Sequence, residues 1–142
     1  MSLSKKEMIA EVVRCGKSPV YFCNNYAKIS HPLRGLIPFD MYDFQEEALK
    51  DFKVNRFSVI LKARQLGIST SVAAYVCWLM LFQRDKNVLV VATKLGTATN
   101  LVKKIKAIHK NLPPWLKIAN ISIDNRTSFE LTNGSVVKAS ST

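Results

Sequence analysis

Apolar positions recur along this chain at both helical and strand spacing, and they divide it into a short series of elements. Ser4, with Glu7 three residues on, predicts an N-cap and a short helix ending near Gly16. Pro19 opens an aromatic-rich stretch to Tyr26 that predicts a second helix with proline in its first turn. The segment Ser30-His31-Pro32-Leu33-Arg34-Gly35 is loop-like, and Pro38 opens another turn. From Tyr42 the rhythm changes: Phe44, Ala48, Leu49 and Phe52 return at helical spacing and predict a helix over about 43–53. Residues 57–61 are a short, apolar, β-prone run that predicts a buried strand. A loop containing Gly67 follows, then a long apolar helix over about 68–83. Residues 87–92 predict a second buried strand. Leu95, Ala98, Leu101, Val102, Ile105 and Ile108 form one face of a further helix, which Pro113-Pro114 ends. Finally, 127–131 and 135–139 flank Asn133-Gly134, a strong short-range hairpin signal.

Strands alternating with helices predict a three-layer α/β fold around a parallel central sheet, with a C-terminal β-hairpin added. Residues 1–41 form a helical lead-in, and 42–142 carry the alternating pattern. A length of 142 residues suits one domain or a piece of a larger one, and 48% hydrophobic residues argue against disorder. The longest apolar run, 72–82, is well short of the ~20 residues a membrane span requires. The N-terminus lacks the apolar core of a secretion signal. Cys15, Cys23 and Cys77 are too few and too scattered for a disulfide scaffold or a zinc site, which points to a reducing, cytoplasmic setting. Cys77 and Trp78 fall in the apolar helix as core residues, and Trp115 reads as a packing anchor. His31 and His109 each stand alone, so neither is assigned a metal.

Charge modifies this picture. The net charge is +11, and no acidic residue lies between Asp85 and Asp124. Lys86, Lys94, Lys103, Lys104, Lys106, Lys110 and Lys117 all fall in that interval. Such a stretch is either a solvated helix face or a surface for a polyanion.

The candidate chemistry sits between the first predicted strand and the apolar helix. A strand running through a tight loop into a helix N-terminus suits phosphate, because free N–H groups point outward and the helix dipole favours anions. Measured against G-x-x-x-x-G-K-[ST], the loop 62–70 (Lys62, Ala63, Arg64, Gln65, Leu66, Gly67, Ile68, Ser69, Thr70) matches in part. Gly67 takes the second glycine and Ser69 the Mg²⁺-ligating hydroxyl, but Ile68 occupies the lysine position and Lys62 the first glycine. Lys62, at the strand end, can reach the same phosphates from across the loop, and Arg64 adds a planar donor fork. Either also suits charge developing in phosphoryl transfer. The alternative is an ordinary strand–turn–helix with two surface cations. Seventeen residues before Lys62 stands Gln45, just after Tyr42 and Phe44. Its amide offers the donor and acceptor that match the N6/N7 edge of adenine, and an aromatic neighbour can stack on the base.

Together these residues resemble the large terminase subunit of tailed bacteriophages, the ATPase motor that packages DNA. The resemblance rests on Asp43-Phe44-Gln45, on Arg64-Gln65-Leu66-Gly67-x-Ser69-Thr70, on Val90-Val91-Ala92-Thr93-Lys94 and on the stretch from Ser128 to Ser135. It implies an additional-strand P-loop ATPase fold and binding of ATP and Mg²⁺. In its terms Gln45, with Tyr42 or Phe44, holds adenine, and 62–70 is the Walker A loop. Many members place the lysine early in that loop, as Lys62 is placed, and Arg64 becomes a candidate γ-phosphate sensor. The family also has an apolar strand ending in Asp-Glu and a nuclease domain. The acids after the loop, Asp85, Asp124 and Glu130, form no such pair. The expectation is therefore the N-terminal half of the ATPase domain, inactive alone. The implied partners are double-stranded DNA, a portal protein and a small terminase subunit, in a ring homo-oligomer within the host cytoplasm and away from membranes. Two other readings stay open: a P-loop helicase or translocase fragment, and a non-enzymatic basic module binding DNA or protein.

Overall fold

The N-terminal helices start where their caps dictate. In the computed structural model, which describes residues 2–61 and 67–142, α1 spans Lys5–Lys17 with Ser4 and Glu7 forming a reciprocal capping box. Ser18 ends α1 and caps α2 (Pro19–Tyr26), accepting the Tyr21 N–H. The two helices are clasped by Glu11, whose carboxylate accepts from the hydroxyls of Tyr21 (2.7 Å) and Tyr26 (2.5 Å). Those bonds, Tyr26's first, hold the Glu11 carboxyl below its usual range.

The segment expected to be loop is the turn of a small antiparallel hairpin, β1 (Lys28–His31) and β2 (Gly35–Pro38). Its strands are too short to register as a period-2 pattern. Next, α3 (Asp43–Val54) and the apolar α4 (Ile68–Phe82) match their expected bounds closely. Between them the expectation fails. Residues 57–61 form no strand, and Phe57, Val59 and Leu61 are largely solvent-exposed. Instead this stretch follows the end of α3, where Asp51 accepts from the Asn55 amide and the Ser58 hydroxyl. An apolar run becomes a strand only where a ladder partner is available, and none of the described strands pairs with it.

The rest builds one sheet. β3 (Asn87–Ala92), α5 (Leu95–Lys110), a 3₁₀ turn at Pro114–Leu116, β4 (Ile121–Asp124), β5 (Ser128–Leu131) and β6 (Val136–Ser141) follow in order. The sheet order is β3-β6-β5-β4, with β3 and β6 parallel and the other two pairs antiparallel. The expected hairpin is therefore present, but the sheet is mixed, because the tight turn after β5 reverses the chain. β4 was not anticipated.

Among the described residues the architecture is also not three-layered about the sheet. α5 packs on β3, β5 and β6, and α4 packs on α5. Val88, Val90, Phe129, Leu131 and Val137 face this side and join the core with Phe22, Leu49, Trp78, Met80 and Leu81. The opposite face is open: Leu89, Val91 and Ile123 are each at least half exposed. β3 is consequently half-buried rather than buried on both faces. Trp78 is core as expected, its indole N–H donating to the Cys15 carbonyl at 2.7 Å. Trp115 meets Tyr26 edge to face at 5.3 Å. All three cysteines are buried, and burial pushes the Cys15 and Cys77 thiols up to about 12, which leaves them unreactive. No described helix is long and apolar enough to cross a membrane.

Candidate functional site

The start of α3 is tied to the start of α4 by one side chain. Gln45, third residue of α3 and 3% exposed, accepts the Tyr42 N–H through Oε1 at 2.9 Å. Its Nε2 donates to the Gly67 carbonyl at 3.2 Å. The same carbonyl accepts the Ser71 N–H and the Ser71 hydroxyl, both at 3.0 Å. Three donors thus converge on one oxygen and fix where α4 begins. Gly67 meets this demand with φ +71°, and a Cβ there would lie 2.6 Å from Gln45 Nε2. The N-terminal end of α3 is itself held by α2, through Asn24 Nδ2 to Glu46 at 2.8 Å.

Around this brace lies a cleft of about 810 Å³, a size that suits a small organic ligand. One wall is Tyr42 and Phe44, stacked at 5.8 Å and 11°, with Tyr42 70% exposed. The other is the β1–β2 hairpin, through Ile29, His31, Arg34 and Ile37. Gln45, Gly67 and Thr70 line the same cleft. Tyr42, Phe44, Gln45, Gly67 and Thr70, singled out from sequence, therefore come together. The hairpin residues were missed, because they carry no motif and their segment reads as loop. His31 Nδ1 accepts the N–H groups of Leu33 and Arg34 at 3.1 and 3.2 Å.

The other loop positions divide. Ile68 is buried, at 8% exposure, beside Phe44, Ala48 and Leu61. Its side chain serves packing, so an apolar residue at this position is physically reasonable. Ser69 is exposed and opens on a different cavity of about 340 Å³, between the end of β3 and α5. That cavity offers the Ser69 and Thr97 hydroxyls, the Asn100 amide and Lys104, but no carboxylate among its lining residues. The cleft thus fits an aromatic base, whereas the surroundings of Ser69 fit Mg²⁺ poorly. Lys62, Ala63, Arg64, Gln65 and Leu66 lie outside the described residues.

α4 leaves its first-turn N–H groups without intrahelical partners, and no acidic residue stands in that turn to compete with an anion. A planar ring between Tyr42 and the hairpin, with negative charge toward the α4 N-terminus, is the chemistry these surroundings favour. No protein-family model matches the chain.

Proposed function

We propose that this chain binds ATP and is the ATP-binding portion of a viral DNA-packaging motor of the terminase large-subunit class, which couples hydrolysis to DNA translocation in the full-length protein. The observation that carries the proposal is the Gln45 brace, which puts a stacked aromatic pair and the start of a long helix on one cleft of nucleotide size. The family part rests on the resemblance of the motifs quoted above. In this reading adenine stacks on Tyr42 or Phe44, with Gln45 at its edge. Phosphates lie toward Gly67, Ile68, Ser69 and Thr70, where main-chain donors and the helix dipole favour them. Lys62 and Arg64 supply the cations for the β- and γ-phosphates, while Ser69, which the resemblance implies as an Mg²⁺ ligand, sits on a separate carboxylate-free cavity and is assigned no metal. Double-stranded DNA, a portal protein and a small terminase subunit are the proposed partners, and the host cytoplasm the proposed setting. When bound, ATP supplies the phosphoanhydride whose cleavage drives translocation. The side chains described here bind and orient it.

Titration of the chain with a fluorescent ATP analogue tests the reading. Wild-type protein is expected to bind, with ATP displacing the analogue, and Gly67→Ala to bind much more weakly. A wild-type chain that takes up no nucleotide, or a Tyr42→Ala/Phe44→Ala protein that binds as well as wild type, would defeat it.

A further inference from the structure

A separate groove of about 210 Å³ lies between α5 and the turn joining β4 to β5. Gly96, Thr99, Asn100 and Lys103 recur at helical spacing along one stripe of α5, and Arg126 and Thr127 face them from the turn. The turn is fastened in place by Lys106, the next lysine along α5 from Lys104. Its Nζ pairs with the Asp124 carboxylate at 2.5 Å, donates to the Asn125 carbonyl at 3.1 Å and sits 5.8 Å from the Phe129 ring centroid. Lys106 is therefore committed to structure, and it takes up the nearest acid. Lys103 and Arg126 form no ion pair among the described residues.

Thr99 adds an independent sign. It is only 6% exposed, lines the groove and makes no hydrogen bond within the described protein. Its hydroxyl therefore opens on the groove and is available to donate to a bound acceptor. Above it, α5 begins at Lys94 with no side-chain cap and no acid in its first turn. A guanidinium, an ammonium, two hydroxyls, an amide and a helix N-terminus make a donor-rich set suited to a phosphoryl oxygen. The groove also lies within the acid-free interval from Asp85 to Asp124 and its flanking turn, which extends positive charge beyond one phosphate.

We propose that this groove binds a backbone phosphate of a nucleic-acid strand, with Arg126 and Lys103 as the paired cations and Thr99 as the inner donor. This gives the nucleic-acid partner of the proposed function a place on the chain, and it does not depend on the nucleotide cleft. The full chain is titrated against a short fluorescein-labelled DNA, duplex and single-stranded, at several KCl concentrations. Arg126→Ala and Lys103→Ala, both at exposed positions, should each weaken binding roughly 3- to 10-fold and make the log–log salt slope shallower by about 1. Lys5→Ala, an exposed lysine of α1, should leave both unchanged. Three results would overturn the proposal. The wild-type chain binds no DNA. The Lys5→Ala protein loses as much affinity as the groove variants. Or inorganic phosphate shifts the amide resonances of α5 and the turn while the groove variants keep wild-type DNA affinity, which would make the site one for free phosphate. Nucleotide binding at the cleft is measured on the same variants, and its failure is read separately.

Discussion

Gly67 leaves no room for a side chain: its backbone is left-handed and Gln45 Nε2 fills the space a Cβ would take. Gly67→Ala is expected to cost about 1–3 kcal/mol from the left-handed backbone and the displaced amide together, and a denaturant melt measures it. Gln45 engages both ends of its amide with main chain, so its loss acts on architecture as well as on any bound base. If Gln45 also reads adenine, Gln45→Ala should weaken ATP more than GTP. Equal losses would assign it to bracing alone. Lys62 is the lysine of the loop, and under the proposed function Lys62→Ala in the full-length protein should lower ATPase turnover by ~10²–10³, the usual effect of removing one transition-state donor. Ile68→Ala should leave the chemistry nearly intact and instead cost about 2–5 kcal/mol of stability, because Ile68 is a packing residue. Comparing turnover with thermal stability for the two variants separates the roles.

Among the elements, the hairpin turn and α5 do more than connect. The Asn133 amide donates to the Met80 carbonyl at 2.8 Å and to Gln83 at 3.2 Å, and the Ser135 hydroxyl donates to Gln83 at 3.1 Å. The turn between β5 and β6 thus caps the C-terminal end of α4, far away in sequence. Gly134 serves it with φ +88°, and a Cβ there would meet the Asp85 carboxylate at 2.0 Å. Asn133→Ala should destabilise by about 1–3 kcal/mol, since the part-buried helix-end carbonyls lose this donor. In the last turn of α5, His109 is buried, with Nε2 on the Ala119 carbonyl at 2.8 Å and Nδ1 without a partner among the described residues. Burial pushes its pKa down, outweighing the Ala119 bond that raises it, with Lys117 adding a smaller lowering. The unfolded chain therefore binds this proton more readily than the folded one, and stability is complete above the unfolded pKa of about 6.5. It falls as pH drops below that value toward the lower folded pKa, by at most ~1.4 kcal/mol per pH unit. Thermal melts from neutral to mildly acidic pH should show the decline, and His109→Leu should flatten it. The acidic shifts of Glu11 and Asp124 act at lower pH and leave this window clear.

For the molecule as a whole, phosphoryl transfer requires a held metal and an oriented water besides phosphate contacts. Ser69's cavity has no carboxylate among its lining residues, and Asp85, Asp124 and Glu130 form no pair in the sequence. Under the proposed function the chain is expected to bind nucleotide without hydrolysing it, with or without DNA. Phosphate release above background that Lys62→Ala abolishes would show that a catalytic carboxylate had been overlooked. The open sheet face is a second whole-molecule property. Leu89 and Val91 sit at the sheet edge beside Lys138 and Ser140, so apolar exposure there is interrupted by polar side chains.

Much of this was legible from local pattern. Ser4 and Glu7, Pro19, the helical spacing of Phe44 to Phe52, the long apolar stretch of α4 and the Asn133-Gly134 turn each act within a few residues, so their elements appear where the pattern put them. Tyr42, Phe44, Gln45 and Gly67 were likewise marked out together, and they line one cleft because Gln45 reaches from the start of α3 to the Gly67 carbonyl at the start of α4. What local pattern does not contain is the partner across space. Residues 57–61 have the composition of a buried strand yet pair with none of the described strands, because a ladder needs a neighbour that composition does not name. The β1–β2 hairpin forms a wall of the cleft without a motif of its own, and Lys106 is an internal fastener while Lys103 forms no ion pair among the described residues, although both lie in one lysine-rich helix. Sequence determined α1 to α5, β3 and the β5–β6 hairpin, which depend on neighbours along the chain. Tertiary structure alone decided which face of the sheet is covered, which cations are unpaired and what closes the cleft, because each is set by residues distant in sequence.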